Sequence, residues 1–97
     1  MTVSAIVDTG SDCTFLPYDI LASLQCLPND SCIVEGITGA EELRALYSVD
    51  LEFHQRRFPT FTVVEQPSAA EAIVGRDFIQ AFRLEFNGPQ SYLAVIP

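Results

Sequence analysis

Lysine is absent from this 97-residue chain, and five arginines stand against 13 acidic residues, for a formal charge of −8. That field repels a phosphate backbone, so nucleic-acid binding is disfavoured, as is adsorption to an anionic membrane surface. No apolar run approaches the ~18 residues of a membrane span. The N-terminus lacks the basic, apolar, small-residue order of a signal peptide. The chain has a single histidine, His54, and three cysteines, Cys13, Cys26 and Cys32. They show no Cys-x-x-Cys spacing, so a zinc site or a cysteine–histidine pair has little support, and no metal or cofactor is expected. An odd number of cysteines without a leader segment predicts reduced thiols and a cytoplasmic setting.

What is present is apolar. Hydrophobic residues make up 48% of the chain and charged residues 19%, a balance that excludes a disordered polymer. The length predicts one domain over residues 1–97, burying roughly 60–65% of its unfolded surface. It excludes a two-domain enzyme with a large internal cleft.

The strongest periodic signal runs from Arg44 to His54. Ala45, Tyr47, Val49, Leu51 and Phe53 fall on one face, and Arg44, Ser48, Asp50, Glu52 and His54 on the other, with Leu46 out of step. Period two over that length predicts a long strand with one buried face. The polar cluster His54–Arg57 is expected to turn the chain into a second strand, Phe58–Val64. Val3–Val7 reads as a short strand. Pro17 opens a short helix to about Leu24, and Asp77–Phe82 reads as another. Arg83–Phe86, an Asn87–Gly88 turn and Tyr92–Ile96 predict a closing hairpin. The phenylalanines at 53, 58, 61, 78, 82 and 86 are expected to be core and interface. The whole is mostly β with two short helices.

Three segments can carry chemistry. In Ala5-Ile6-Val7-Asp8-Thr9-Gly10-Ser11, an apolar strand delivers an aspartate into a turn of hydroxyl residues and glycine, where N–H groups can hold one side of the carboxylate. The plain alternative is an Asx-type turn after a strand. In Glu35-Gly36-Ile37-Thr38-Gly39-Ala40, two glycines frame an apolar residue between strand-like arms, Cys32–Val34 and Leu43–Val49. That suits a mobile hairpin able to fold over a ligand, or an ordinary loose one. Glu41 and Glu42 beside it read as a solvated face; the alternative is that they disfavour acidic peptides. In Ala72-Ile73-Val74-Gly75-Arg76-Asp77, a strand ends at glycine and a charged pair opens a helix. An arginine against the core must be paired; otherwise it snorkels to the surface.

Taken in this order, Asp8-Thr9-Gly10-Ser11, the glycine-framed segment 36–39 and Ile73-Val74-Gly75-Arg76-Asp77 resemble the retropepsin-like aspartic proteases. These are the single-domain, homodimeric relatives of retroviral proteases. The likeness covers nearly the whole chain, and the ending Arg83–Ile96 is more similar to the cellular, DNA-damage-inducible type. It implies an all-β fold, a closed acid-protease barrel or sandwich with one or two short helices and a flap hairpin. It also implies a homodimeric aspartic endopeptidase acting on polypeptides. By the same resemblance, Asp8 is the catalytic aspartate. Thr9 bonds its symmetry mate, and Gly10 offers its carbonyl to the substrate. Asp12 edges the groove and forms a structural pair with Arg76. Gly36, Ile37, Thr38 and Gly39 form the flap, and Ile73 and Val74 line or support the pocket.

The chemistry also calls for two copies. Amide hydrolysis by carboxylates needs one as base and one as acid, and the chain has a single Asp-Thr-Gly; Asp77 lacks the strand-then-small-residue setting. The second Asp8 must then come through a two-fold interface. In one respect the chain departs from the family: only Met1–Val7 precedes Asp8, where members usually have another strand. The dimer contact then falls to other strands, such as Tyr92–Ile96, unless the chain is a fragment or dimerises weakly. A non-catalytic binding or dimerisation module with this fold is the alternative.

Overall fold

The computed structural model describes residues 2–35, 39–87 and 92–96. Its elements in chain order are β1 (Ala5–Val7), β2 (Phe15–Pro17), α1 (Tyr18–Ser23), β3 (Asp30–Glu35) and β4 (Glu41–Phe53). Then follow β5 (Arg56–Gln66), β6 (Ala72–Val74), α2 (Arg76–Ile79), β7 (Arg83–Asn87) and β8 (Tyr92–Ile96). Six strands form one sheet in the order β1-β6-β2-β5-β4-β3, and β7 pairs with β8 alone. The sheet curls into a half-barrel, so the fold is mostly β and retropepsin-like. Among the described residues β1 and β3 are its edges, and the expected closed barrel is open between them.

The alternation along β4 does what period two requires. Tyr47 and Val49 are buried, with Ala45 and Leu51 half-buried beside them. They pack with Leu16 of β2, Leu21 of α1, Val63 of β5 and Ala72 of β6. Leu46 breaks the pattern for a reason: it pairs with Val64, which is buried on the opposite side of β5 from Val63. The centre of β5 is therefore covered on both faces. The strand is not uninterrupted. Its register with β5 shifts between Val49 and Leu51, because Pro59 has no N–H to donate and a bulge accommodates it. The Asp50 carboxylate then accepts the Thr60 N–H at 3.0 Å.

Several boundaries differ from the sequence expectation. The β4–β5 turn is only His54–Gln55, both at positive φ (52° and 65°), as a two-residue hairpin turn demands. Arg56 and Arg57 already belong to β5. Pro17 ends the unexpected strand β2 and sits before α1 rather than inside it. α2 stops at Ile79, and shorter-range bonds from Ala81 and Phe82 to Phe78 and Ile79 carry the chain onward. The closing hairpin pairs Arg83 with Ile96 through Asn87 with Tyr92; the Asn87–Gly88 turn lies outside the described residues.

A second, aromatic cluster backs α2. Phe53, Phe58 and Phe61 reach Phe78 at centroid distances of 5.8, 4.9 and 5.8 Å, and Phe82 closes on Phe53 and Phe58 at 5.3 and 5.6 Å. The Arg56 guanidinium lies over Phe58 and Phe82 and donates to the Ala81 carbonyl at 2.7 Å. This cluster fixes the end of β6 and α2 against the long hairpin.

Tyr47 adds a polar tie inside the core. Its hydroxyl donates to Glu65 Oε1 at 2.9 Å. Burial, then that bond and the Glu65 charge, push its ionisation up to about 12. In the unfolded chain tyrosine ionises near pH ~10. A folded pKa above the unfolded one stabilises fully below pH ~10, and the stabilisation drains away as pH rises toward about 12. Urea unfolding at about pH 9 and about pH 11 is expected to show a smaller alkaline loss of stability in Tyr47→Phe than in the parent chain.

Candidate active site

The candidate catalytic loop, residues 8–14, leaves β1, passes over the end of β6 and returns as β2 on the other side of β6. It is held at nearly every step. Asp8 N–H donates to Val74 O at 3.0 Å and Ser11 N–H to Asp8 O at 3.2 Å, while Arg76 N–H donates to Ser11 O at 2.8 Å. The Ser11 hydroxyl donates to Cys13 O at 2.7 Å. Asp8 Oδ1 accepts the Gly10 N–H at 2.9 Å, which makes the turn an Asx turn. A Cβ on Gly10 would stand 3.2 Å from that same oxygen. Asp8 is exposed, and Oδ2 accepts none of the hydrogen bonds among the described residues. One carboxylate oxygen is thus oriented by the backbone and the other is open to a reactant.

The far end of the loop is anchored through Thr14, which is only 3% exposed. Its N–H and hydroxyl donate to Asp77 Oδ2 and Oδ1 at 3.1 and 2.8 Å. The same hydroxyl oxygen accepts the Gly75 N–H at 3.2 Å. Its carbonyl accepts Val64 N–H at 2.9 Å. A buried hydroxyl with every group satisfied stabilises; one left unpaired costs about 1–3 kcal/mol. Gly75 is required by approach, not by dihedral. A Cβ there would collide with the Cys13 carbonyl, reaching its carbon at 2.6 Å and Ser11 O at 2.8 Å.

The other candidate residues separate into groups. Ile73 and Val74 are half-buried in β6, in register with Ile6 and Val7. Arg76 is not against the core; it is exposed, and its guanidinium ion-pairs with exposed Asp12. Thr9 and Gly10 lie on the exposed loop. The hairpin arms β3 and β4 pair from Asp30–Leu46 to Glu35–Glu41. Gly39 has φ of 81° with open space around it, so a side chain there would be strained. Gly36, Ile37 and Thr38 lie outside the described residues. Sequence reasoning missed Thr14 and the structural role of Asp77, because no local pattern links positions 63 residues apart. The one available hint was a carboxylate directly after Gly75-Arg76.

A cysteine-based reading loses ground. Burial, then the charge of Asp77 and the neighbouring Cys32, push the Cys13 thiol up, opposite to what a nucleophilic thiolate needs. His54 caps the β4–β5 turn beside Phe53, with ring centroids 6.3 Å apart.

The family model described as retroviral aspartyl protease matches residues 1–87. The chain belongs to that family. Among curated proteins, none matches it. As a retroviral-type aspartyl protease domain, the chain spans from β1 through β7 within the matched segment.

Two anchors of the loop differ in depth, and therefore in worth. Thr14→Val is expected to cost about 1–3 kcal/mol, by leaving Asp77 Oδ1 and Gly75 N–H without the hydroxyl that serves both. A double-mutant cycle of Asp12→Ala and Arg76→Ala is expected to give a coupling of only about 0.2–1 kcal/mol, since both groups face solvent. Denaturant unfolding of the five chains checks the ranking; a cycle coupling larger than the Thr14 effect would reverse it.

Proposed function

We propose that the chain is an aspartic endopeptidase working as a homodimer, with Asp8 of each copy forming the catalytic pair. The observation that carries this reading is the half-finished site: one Asp8 carboxylate oriented by Gly10 N–H, its second oxygen open, at the end of an edge strand. β1 supports the second copy. Its residues are exposed, Ile6 by 50%, and its only ladder among the described residues is with β6. An apolar edge of that kind favours self-association.

Two aspartates brought together at the two-fold axis, about 3 Å apart, cannot both ionise and share one proton. The ionised one takes a proton from a water between them as it attacks the peptide carbonyl. The protonated one donates its proton to the carbonyl oxygen. The first, now carrying the water's proton, passes it to the departing amine as the second takes a proton back from the gem-diol. The pair titrates as a unit. Thr9 would fix the two loops to each other, and Gly10 would accept from the substrate backbone. Asp12 and Arg76 would border the groove, with Ile73 and Val74 behind it. The hairpin tip at Gly36, Ile37, Thr38 and Gly39 would cover an extended substrate. The three cysteines are free, which fits a reducing, cytoplasmic setting.

Asp8→Asn is expected to abolish cleavage of a denatured protein substrate while leaving the unfolding midpoint nearly unchanged. Sedimentation of the parent chain is expected to show a dimer. Undiminished cleavage by the variant removes the assignment. A dimer that cleaves nothing between pH ~4 and ~7 favours a binding module of the same fold.

A further inference from the structure

The β3–β4 hairpin carries its inner face past the edge of the core. Positions 43, 45, 47 and 49 of β4 share one side of the sheet. Tyr47 and Val49 are buried there and Ala45 is half-buried, but Leu43 is 73% exposed. Directly opposite Leu43 on β3 stands Ile33, 67% exposed. The next pair on the same face is Glu35 opposite Glu41, both exposed. Two aliphatic side chains therefore lie in water next to two facing carboxylates. Like charges directly opposite in an antiparallel pair destabilise it. Glu42, on the other face, is matched by Arg44 at 2.6 Å. Neither of the ion pairs among the residues whose side chains are described involves Glu35 or Glu41.

We infer that this face contacts the polypeptide substrate and selects segments with an aliphatic residue two positions from a lysine or arginine. The inference rests on the hydrolase reading for its substrate class and on charge complementarity for its preference. The spacing follows from strand geometry. Leu43 and Glu41 are two residues apart on one face. A peptide extended along the hairpin presents residues i and i+2 on one face with the same period. An aliphatic side chain over Ile33 and Leu43 then sets a cation over Glu35 and Glu41. That contact covers the exposed apolar pair and offsets the like-charge repulsion together. In a chain of charge −8 without lysine, an acidic residue at that position meets only repulsion.

The test uses the full chain carrying Asp8→Asn, so that bound peptide is not turned over. Two synthetic peptide pools, identical except for Leu-Ala-Lys or Leu-Ala-Glu at their centre, are titrated by fluorescence anisotropy. The lysine pool is expected to bind about tenfold more tightly at low salt, and the gap to narrow as salt rises. Adding Glu35→Gln and Glu41→Gln is expected to shrink it below about twofold, while Ile33→Ser weakens both pools alike. Equal binding of the pools, binding of neither, or a gap that survives the double glutamine change overturns the inference. Cleavage by the chain with Asp8 intact separates the two readings. Charge preference without cleavage removes the hydrolase and leaves a peptide-binding face; cleavage without charge preference removes this inference alone.

Discussion

The site depends on one crossing. The loop that carries Asp8 must pass over the end of β6, and it can do so only because residue 75 has no side chain. The backbone of Ser11 and Cys13 occupies the space a Cβ would take. Close approach of two backbones normally strands polar groups, and here each is matched. Ser11 O takes Arg76 N–H, Thr14 Oγ1 takes Gly75 N–H, and Asp77 takes both donors of Thr14. The half-buried carboxylate of Asp77 is spent on the structure, while that of Asp8 stays exposed.

This arrangement divides rigid parts from open ones. The loop is tied to β6, α2 and β5, and α2 is wedged by the phenylalanine cluster against the long β4–β5 hairpin. Asp8 is therefore set on a well-braced element, which is what the proposed pairing with a second Asp8 would require. The edges carry the opposite character. β1 and the outer part of the β3–β4 hairpin present apolar side chains to water, and neither edge has a further strand among the described residues. A domain braced at its centre and unfinished at its edges suits association with a second copy and with an extended peptide.

Much of the fold was legible in the sequence because it rests on short-range rules. The alternation in 45–53 predicts β4, the β-branched and aromatic run after it predicts β5, and the glycine-framed segment predicts the β3–β4 hairpin. The errors have physical sources. β2 was hidden because three residues ending in proline carry no period of their own, and their strand character comes from β5 and β6 beside them. The turn at His54–Gln55 uses two left-handed residues that are neither glycine nor asparagine, so its position is set by the register of the long strands. The bulge opposite Asp50 lies in β5, where Pro59 and Thr60 face that single residue. For Arg76 the spacing left two readings, a paired arginine and a surface one, and the fold gives both at once: it is exposed and ion-paired with Asp12.

Read as letters, the chain settled its class: a small β domain, strongly acidic, with one aspartate in a strand-to-turn setting and a family pattern around it. These follow from composition, period two and residue spacing, all properties of neighbours along the chain. Only the folded form decided which carboxylate is structural and which is open, why residue 75 must be glycine, and that Ile33 and Leu43 face each other in water. Those outcomes depend on contacts between segments tens of residues apart, and no local rule encodes which distant groups will meet.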